Sequence, residues 1–235
     1  MPVYKRILLK LSGEAIAAEN AAFNLGTVER IAGEIKKVHD LGVEVGIVIG
    51  GGNIVRGSAF ERYGLDRTKS DSMGMLATVI NSLLLEEVLQ NRGVPAVMQS
   101  ALPVETIAES ITLSRTMEYL SKGRVVLFAG GTGSPYFTTD TAAALRACEI
   151  DADVLLKATK VDGVYDKDPV KHTDATFYRE LHYDDLLQRK LMIMDMPAVS
   201  MCRERRIPIV IFNIGREDEL VRAVKGSDSG TIIKE

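Results

Sequence analysis

The sequence predicts an α/β fold with a mostly parallel sheet covered by helices on both faces, and three observations carry that expectation. Short runs rich in β-branched residues alternate with amphipathic stretches whose apolar positions recur every three or four residues. Strands followed by such stretches build βαβ units. No internal repeat or low-complexity linker divides the 235 residues, 46% of which are hydrophobic, so the chain reads as one domain with a real core.

The elements follow in order. Ile7–Leu11 is a short apolar strand ending in Ser12-Gly13. Thr27 can cap a helix carrying Val28, Ile31, Ala32, Ile35, Val38 and Leu41, which Gly42 stops. Val43–Ile49 is a strand that runs into Gly50-Gly51-Gly52-Asn53. A second helix, beginning near Ser72, carries Met75, Leu76, Val79, Ile80, Leu83, Leu84 and Val88 and ends near Gly93. Val94–Met98 is a strand, and Val104, Ile107, Ala108, Ile111 and Leu120 mark a third helix. Val125–Ala129 ends in Gly130-Gly131-Thr132-Gly133, after which Thr139 or Asp140 caps a helix over Thr141–Glu149. Val154–Lys157, Ile209–Phe212 and Thr231–Ile233 are the remaining strands, and Met192–Met196 and Met201 are assigned to the core.

Composition excludes whole classes. With 29 Lys+Arg against 32 Asp+Glu the net charge is −3, too balanced for an apolar-poor disordered chain and too acidic for broad nucleic-acid binding. No apolar run approaches the roughly 20 residues of a membrane span. Met1–Leu11 is broken by Lys5, Arg6 and Lys10 and lacks a cleavage site, so it does not read as a signal peptide. Cys148 and Cys202 form neither a disulfide framework nor a zinc pattern and read as small buried hydrophobes in a reducing compartment. The expectation is a soluble, cytoplasmic globular protein with no nucleic-acid or membrane partner.

Three strands end in glycine, at Gly13, Gly50-Gly51-Gly52 and Gly130-Gly131-Thr132-Gly133. One such turn is explained by a tight strand-to-helix connection. Three at the carboxyl ends of one sheet would converge on a single rim and could hold several phosphates. The nucleotide motifs that need other spacings fail. There is no Gly-Lys pair for a Walker A loop, and Tyr136 stands where the dinucleotide fingerprint needs a small residue. The protein-kinase signatures His-Arg-Asp and Asp-Phe-Gly are absent.

Lys10 and Lys157 end strands and Arg56 follows the triple glycine, which aims cationic groups at the same rim. Each could instead be an edge residue reaching water. Phosphoryl transfer is mostly positioning and charge stabilisation, so lysine, arginine and Mg²⁺ are the parts it needs. Asp140 can be a helix cap or can pair with the lysines and orient them. The charged stretch Asp162–Asp174 follows a strand at the place where open α/β sheets bind ligands, though a solvated connection explains it as well.

Four segments, read together, resemble the bacterial UMP kinases (uridylate kinases) of the amino-acid kinase superfamily. They are Lys10-Leu11-Ser12-Gly13, Ile49-Gly50-Gly51-Gly52-Asn53-Ile54-Val55-Arg56-Gly57, Thr132-Gly133-Ser134-Pro135-Tyr136-Phe137-Thr138-Thr139-Asp140 and Lys157-Ala158-Thr159-Lys160-Val161-Asp162-Gly163-Val164-Tyr165. The likeness runs from about Val3 to the C-terminus. It implies a three-layer α/β/α sandwich around a large, mostly parallel sheet. Residues 1–235 would form a single amino-acid kinase domain, with the acceptor UMP on the N-terminal half and ATP on the C-terminal half. ATP is implied to lie against Lys10, Leu11, Ser12, Gly13, Gly52, Arg56, Thr159, Tyr165 and Asp168. UMP is implied to contact Gly51, Asp71, Thr132, Gly133, Ser134, Pro135, Tyr136, Phe137, Thr138 and Thr139. Asp71 could otherwise cap the helix near Ser72; the implied role uses its carboxylate on ribose hydroxyls. Asp153 matches a further functional aspartate, with catalysis and folding both open to it.

The implied reaction is ATP + UMP → ADP + UDP, with Mg²⁺ accompanying ATP, on the way to UTP and CTP. Unit charges ~4 Å apart repel by about 4 kcal/mol at an effective dielectric of ~20, and two nucleotides present several such pairs. Lys10, Arg56, Lys157 and the metal would offset this, with Asp140 holding the lysines. The attacking phosphate oxygen is already ionised at pH 7, so no general base is needed. The resemblance also implies a homohexamer inhibited by UTP and, in members with a glycine-rich loop after the first strand, activated by GTP. Here Ala17-Ala18-Glu19-Asn20-Ala21-Ala22-Phe23-Asn24 has no glycine. Two alternatives stand beside this reading: a superfamily member acting on a carboxylate or carbamate, and a non-catalytic nucleotide-binding protein. The 132–139 segment speaks against the first and the set Lys10, Lys157 and Asp140 against the second.

Overall fold

The computed structural model describes residues 1–55, 64–189, 191, 193–227 and 229–235. The apolar runs become the strands β1 (Arg6–Leu11), β2 (Glu44–Ile49), β3 (Ala96–Ser100), β4 (Glu109–Ser110), β5 (Val125–Ala129) and β6 (Val154–Thr159). They continue as β7 (Val164–Tyr165), β8 (Phe177–Tyr178), β9 (Glu180–His182), β10 (Ile209–Asn213) and β11 (Thr231–Lys234). One nine-stranded sheet has the order β4-β3-β5-β2-β1-β6-β10-β11-β9, and β7 pairs separately with β8. Among the described residues the sheet is parallel throughout, except where β10 meets β11. The chain leaves β1 toward β2, β5 and β3 on one side and later returns to β6 and β10 on the other. That makes β1 the switch point of the sheet, the place where open α/β sheets bind ligands.

The helices are α1 (Leu25–His39), α2 (Arg67–Asn91), α3 (Leu113–Ser121), α4 (Thr139–Glu149), α5 (Tyr183–Gln188), α6 (Met196–Glu204) and α7 (Glu219–Val224). Because strand side chains alternate between faces, β1 sends Ile7, Leu9 and Leu11 into one apolar layer with α1, α2 and α7. Leu8 goes into the opposite layer with α3, α4, α5 and α6. The three-layer α/β architecture expected from the sequence is the one observed.

Several boundaries differ, each for a local reason. Asn24, not Thr27, caps α1, and its side chain accepts from the Thr27 N–H. α2 starts at Arg67 under Asp66, so Asp71 lies within the helix and is not its cap. Thr138, not Thr139 or Asp140, caps α4 and accepts from the Asp140 and Thr141 N–H groups. The expected third helix is only α3. The spacing at Val104–Ala108 is spent on a single turn, with the Ala108 N–H on Val104 O, before β4 joins the sheet beside β3. Met194 is buried and Met201 half-buried, but Met196 is exposed at the start of α6, and Met192 lies outside the described residues. α2 is long and apolar enough by length and composition to cross a membrane. Its Val79, Leu85 and Leu89 nevertheless pack into the core layer against the sheet.

Candidate active site

Lys10 stands opposite Lys157 in the β1–β6 ladder, and neither lies on an edge strand. Alternation turns both toward the layer that contains α4. Asp140, in the first turn of α4, meets both ammonium groups: Lys10 Nζ lies 2.8 Å from Oδ1 and Lys157 Nζ donates to Oδ2 at 2.7 Å. Lys157 also donates to the Ile193 carbonyl. All three side chains are largely buried, with 10%, 13% and 15% of the Lys10, Lys157 and Asp140 side chains exposed. Burial pushes the Asp140 carboxyl up, but the two lysine charges pull harder and hold it below its usual 3.8. Burial, reinforced by Lys10 and opposed by Asp140, brings Lys157 below its usual 10.5. Two cations held by one anion leave a net positive centre at the switch point of the sheet.

On the β2 side of this centre lies an open cleft. Its walls include Gly51, Asp71, Thr132, Ser134, Phe137, Thr138 and Thr139, which were expected from the sequence, together with Gly52, Gly74, Met75 and Thr78. Gly133, Pro135 and Tyr136 belong to the same turn but do not line it. Asp71 accepts from the Tyr136 N–H at 2.8 Å and pairs with Arg67 at 3.1 Å. Tyr136 has a left-handed φ of 72°, unusual for a residue with a side chain, and the Asp71 bond anchors its peptide there. The glycines have separate reasons. A Cβ on Gly13 would lie 2.4 Å from Asn53 Oδ1 and 2.5 Å from Gly50 O, so close packing of the β1 and β2 ends requires glycine. A Cβ on Gly52 would meet only Glu14 Cγ, at 3.9 Å, so no protein neighbour demands a glycine there.

On the β6 side a second, open depression is lined by Tyr165 and Asp168 with Val161, Gly163, Pro169 and Ile193. Tyr165 stacks edge-on against Phe177 at 5.2 Å. Asp168 is held below its usual 3.8 by the Val170 N–H and by Lys171. Thr159 ends β6 with its hydroxyl within hydrogen-bond distance of the Val161 and Phe212 carbonyls, so its side chain shapes the loop. Ser12 accepts from the Glu14 N–H, and the Leu11 side chain is wholly in the core, which leaves only backbone at Leu11 for a ligand. Arg56 and Gly57 lie outside the described residues. Asp153 accepts from the Lys5 and Arg6 N–H groups at 2.6 and 2.9 Å. That is the amino end of β1, the opposite rim from the lysines, where its carboxylate ties the start of β1 to the start of β6.

The chain matches the amino acid kinase family over residues 5–213. It is 50% identical over 233 residues to a uridylate kinase of Methylococcus capsulatus, covering 99% of this chain and 98% of that one. The chain belongs to the amino acid kinase family. Within the family, the crystal structure of a UMP kinase from Bacillus anthracis superimposes with a TM-score of 0.96 at 39% identity, covering 100% of this chain and 97% of the other. One from Ureaplasma parvum gives 0.94 at 34% identity, covering 98% and 99%.

The geometry adds residues that sequence reasoning missed. Asp195, the cap of α6, accepts from the hydroxyls of Thr138 and Thr141 and so ties the start of α4, with Asp140, to α6. Thr78 accepts from the Gly130 N–H at 2.8 Å. Among the described residues no group of three His, Cys, Asp or Glu side chains could hold a metal ion. Both Asp140 oxygens lie within ion-pair distance of lysines, and both Asp195 oxygens accept from hydroxyls or a backbone N–H. Among the described residues, a divalent cation that comes with a nucleotide would thus be held chiefly by the nucleotide's phosphates.

Proposed function

We propose that this chain transfers the γ-phosphoryl group of ATP to UMP, giving UDP and ADP on the way to UTP and CTP. The observation that carries the reading is the Lys10–Asp140–Lys157 triad, set between two clefts at the switch point of a kinase-family sheet. UMP occupies the β2-side cleft of the N-terminal half, with Asp71 on its ribose and Gly51 and the 132–139 segment around its phosphate. ATP occupies the C-terminal half near Thr159, Tyr165 and Asp168, with its phosphates toward Lys10, Ser12, Gly13, Gly52 and Arg56. Mg²⁺ arrives with ATP and neutralises part of its phosphate charge. The lysines stabilise the charge that develops on the transferring group and the leaving oxygen, and Asp140 keeps them in place. As the acceptor oxygen is already ionised, the protein need only bring it in line.

The same proposal includes a cytoplasmic homohexamer that needs neither nucleic acid nor membrane. Leu76, Ile80 and Leu83 form an exposed apolar stripe along α2 that favours a subunit contact. UTP inhibits by occupying the UMP cleft itself, whereas GTP activation would need a site that residues 17–24, without glycine, do not reproduce. The deciding experiment measures ADP release with UMP, CMP, aspartate or glutamate as acceptor, with and without UTP and GTP. Turnover with UMP alone is expected. Turnover with an amino acid, or ATP binding without any product, would replace this reading by a carboxylate kinase or a nucleotide sensor.

A further inference from the structure

Asn81 sits in the middle of α2 with no exposed surface. A buried amide must satisfy two N–H donors and one oxygen or carry a desolvation cost. Its Nδ2 donates to Gly50 O at 2.6 Å and to Asn53 Oδ1 at 2.7 Å, and its Oδ1 accepts from Asn53 Nδ2 at 3.1 Å. Asn53 Nδ2 also donates to Ala22 O at 2.8 Å. The two amides therefore bond each other reciprocally, and each uses its second N–H on a backbone carbonyl. Asn53 Oδ1 also lies where a Cβ on Gly13 would collide, so the pair is seated on the end of β1.

We infer that Asn53 and Asn81 are a positioning pair that sets the phosphate-binding geometry of the Gly50–Gly52 turn. Peptide planarity links the two sides of the turn. The carbonyl of Gly50 and the N–H of Gly51 share one trans unit and point in opposite directions. A donor fixed on a buried helix that grips Gly50 O thereby fixes where the Gly51 N–H points. Asn53 secures the other end of the turn and joins it to β1 and to the segment before α1. Asn81 reaches no substrate; it acts through Gly50 and Asn53. The inference rests on the proposed function in taking this turn as the place where phosphates lie.

The test compares Asn81→Ala, Asn53→Ala and the double variant with the unaltered protein. Each variant is expected to lose about 100-fold in kcat/KM for ATP, the scale of a small misplacement of reacting groups. Calorimetric ATP affinity should weaken about tenfold, the scale of one lost charge-assisted hydrogen bond. The KM for UMP, whose phosphate is taken to meet Gly51, should rise as well, by about threefold to tenfold, with Asp71 and the 132–139 segment as its remaining anchors. The double variant should be no worse than the poorer single one, because both break one unit. Asn81→Asp supplies a signature that loss of stability alone would not produce. A protonated carboxyl can donate to Gly50 O and an ionised one cannot, so its activity relative to the unaltered protein should recover as pH falls.

Ala variants that are folded and within threefold of the parent in kcat/KM and ATP affinity would overturn the pairing role. So would a double variant whose loss is the product of the singles. Should Asn81→Ala not fold, Asn53→Ala, at a half-buried position, decides by the same measures. Should the unaltered protein fail to phosphorylate UMP, the functional proposal falls, while the ATP affinities of the variants still judge the pair.

Discussion

On the β2 side of the central strand the rim is tied down by side chains of one helix, whereas on the β6 side two short, partly buried strands are joined by an exposed loop. α2 supplies Asn81 to Gly50 O, Thr78 to the Gly130 N–H and Asp71 to the Tyr136 N–H. Asn81 and Thr78 are buried, and bonds of this kind are costly to break. Across the sheet, the β7–β8 pair is anchored by buried Val164, whose N–H donates to Thr231 Oγ1 at 2.8 Å, while the loop between the two strands is held by ion pairs such as Lys167–Asp174 and Lys171–Asp168. These ion pairs lie at the surface, where such pairs contribute little. Buried hydrogen bonds from one helix thus fix the β2-side rim, whereas surface ion pairs hold the outer loop on the β6 side, and the lysine triad lies between them.

The largest effects are expected at the triad. Asp140→Ala leaves two buried ammonium groups facing each other; kcat should fall at least about 1000-fold, with a loss of about 3 kcal/mol in urea unfolding. Unaltered stability would mean that the triad is not the rigid element described here. Lys10→Ala should cut turnover at least ~100-fold at saturating substrates. A fall of only a few-fold would reject its role at the transferring group. Gly13→Ala and Gly52→Ala separate packing from ligand approach. The first should destabilise by about 1–3 kcal/mol through overpacking. The second should leave stability within about 0.5 kcal/mol yet weaken ATP binding, as calorimetry would register.

The pH dependence bears on the same triad. Lys157 is lowered below its usual 10.5, so the charged form is lost earlier than for a free lysine, and the alkaline decline of kcat should begin below pH 10.5. Lys157→Arg should move that decline upward. Asp140 is held below 3.8, so its contribution to stability is present above that pH and is lost only as pH falls through its depressed value. The smallest effect is expected on the β6 side. Tyr165→Ala and Asp168→Ala should raise the KM for ATP about tenfold while kcat stays within twofold, since they touch binding common to ground and transition states.

The long strands were legible because strands buried on both faces read as continuous apolar runs, and β5 falls where its sequence places it. The lysines were legible because charge inside such a run is conspicuous. Caps were less so: Asn24 and Thr27 are both capping types, and only the path of the backbone decides between them. β7, β8 and β9 are too short to show a period. Asp195 was invisible because its partners Thr138 and Thr141 stand 57 and 54 residues away, and nothing local distinguishes it from an ordinary helix cap. Asn81 is hidden by apolar neighbours, since one amide scarcely alters the pattern of a helix.

The pairing of Lys10 with Lys157 has a consequence for how this molecule can change. Deleting one residue from the middle of β1 would shift the frame of the strand by one step and turn the ammonium from the α4 layer into the oily layer beneath α1 and α2. Folding and chemistry would fail in the same event. Length variation is therefore tolerable in the connecting segments and forbidden in the two innermost strands, where spacing along the chain is itself part of the catalyst.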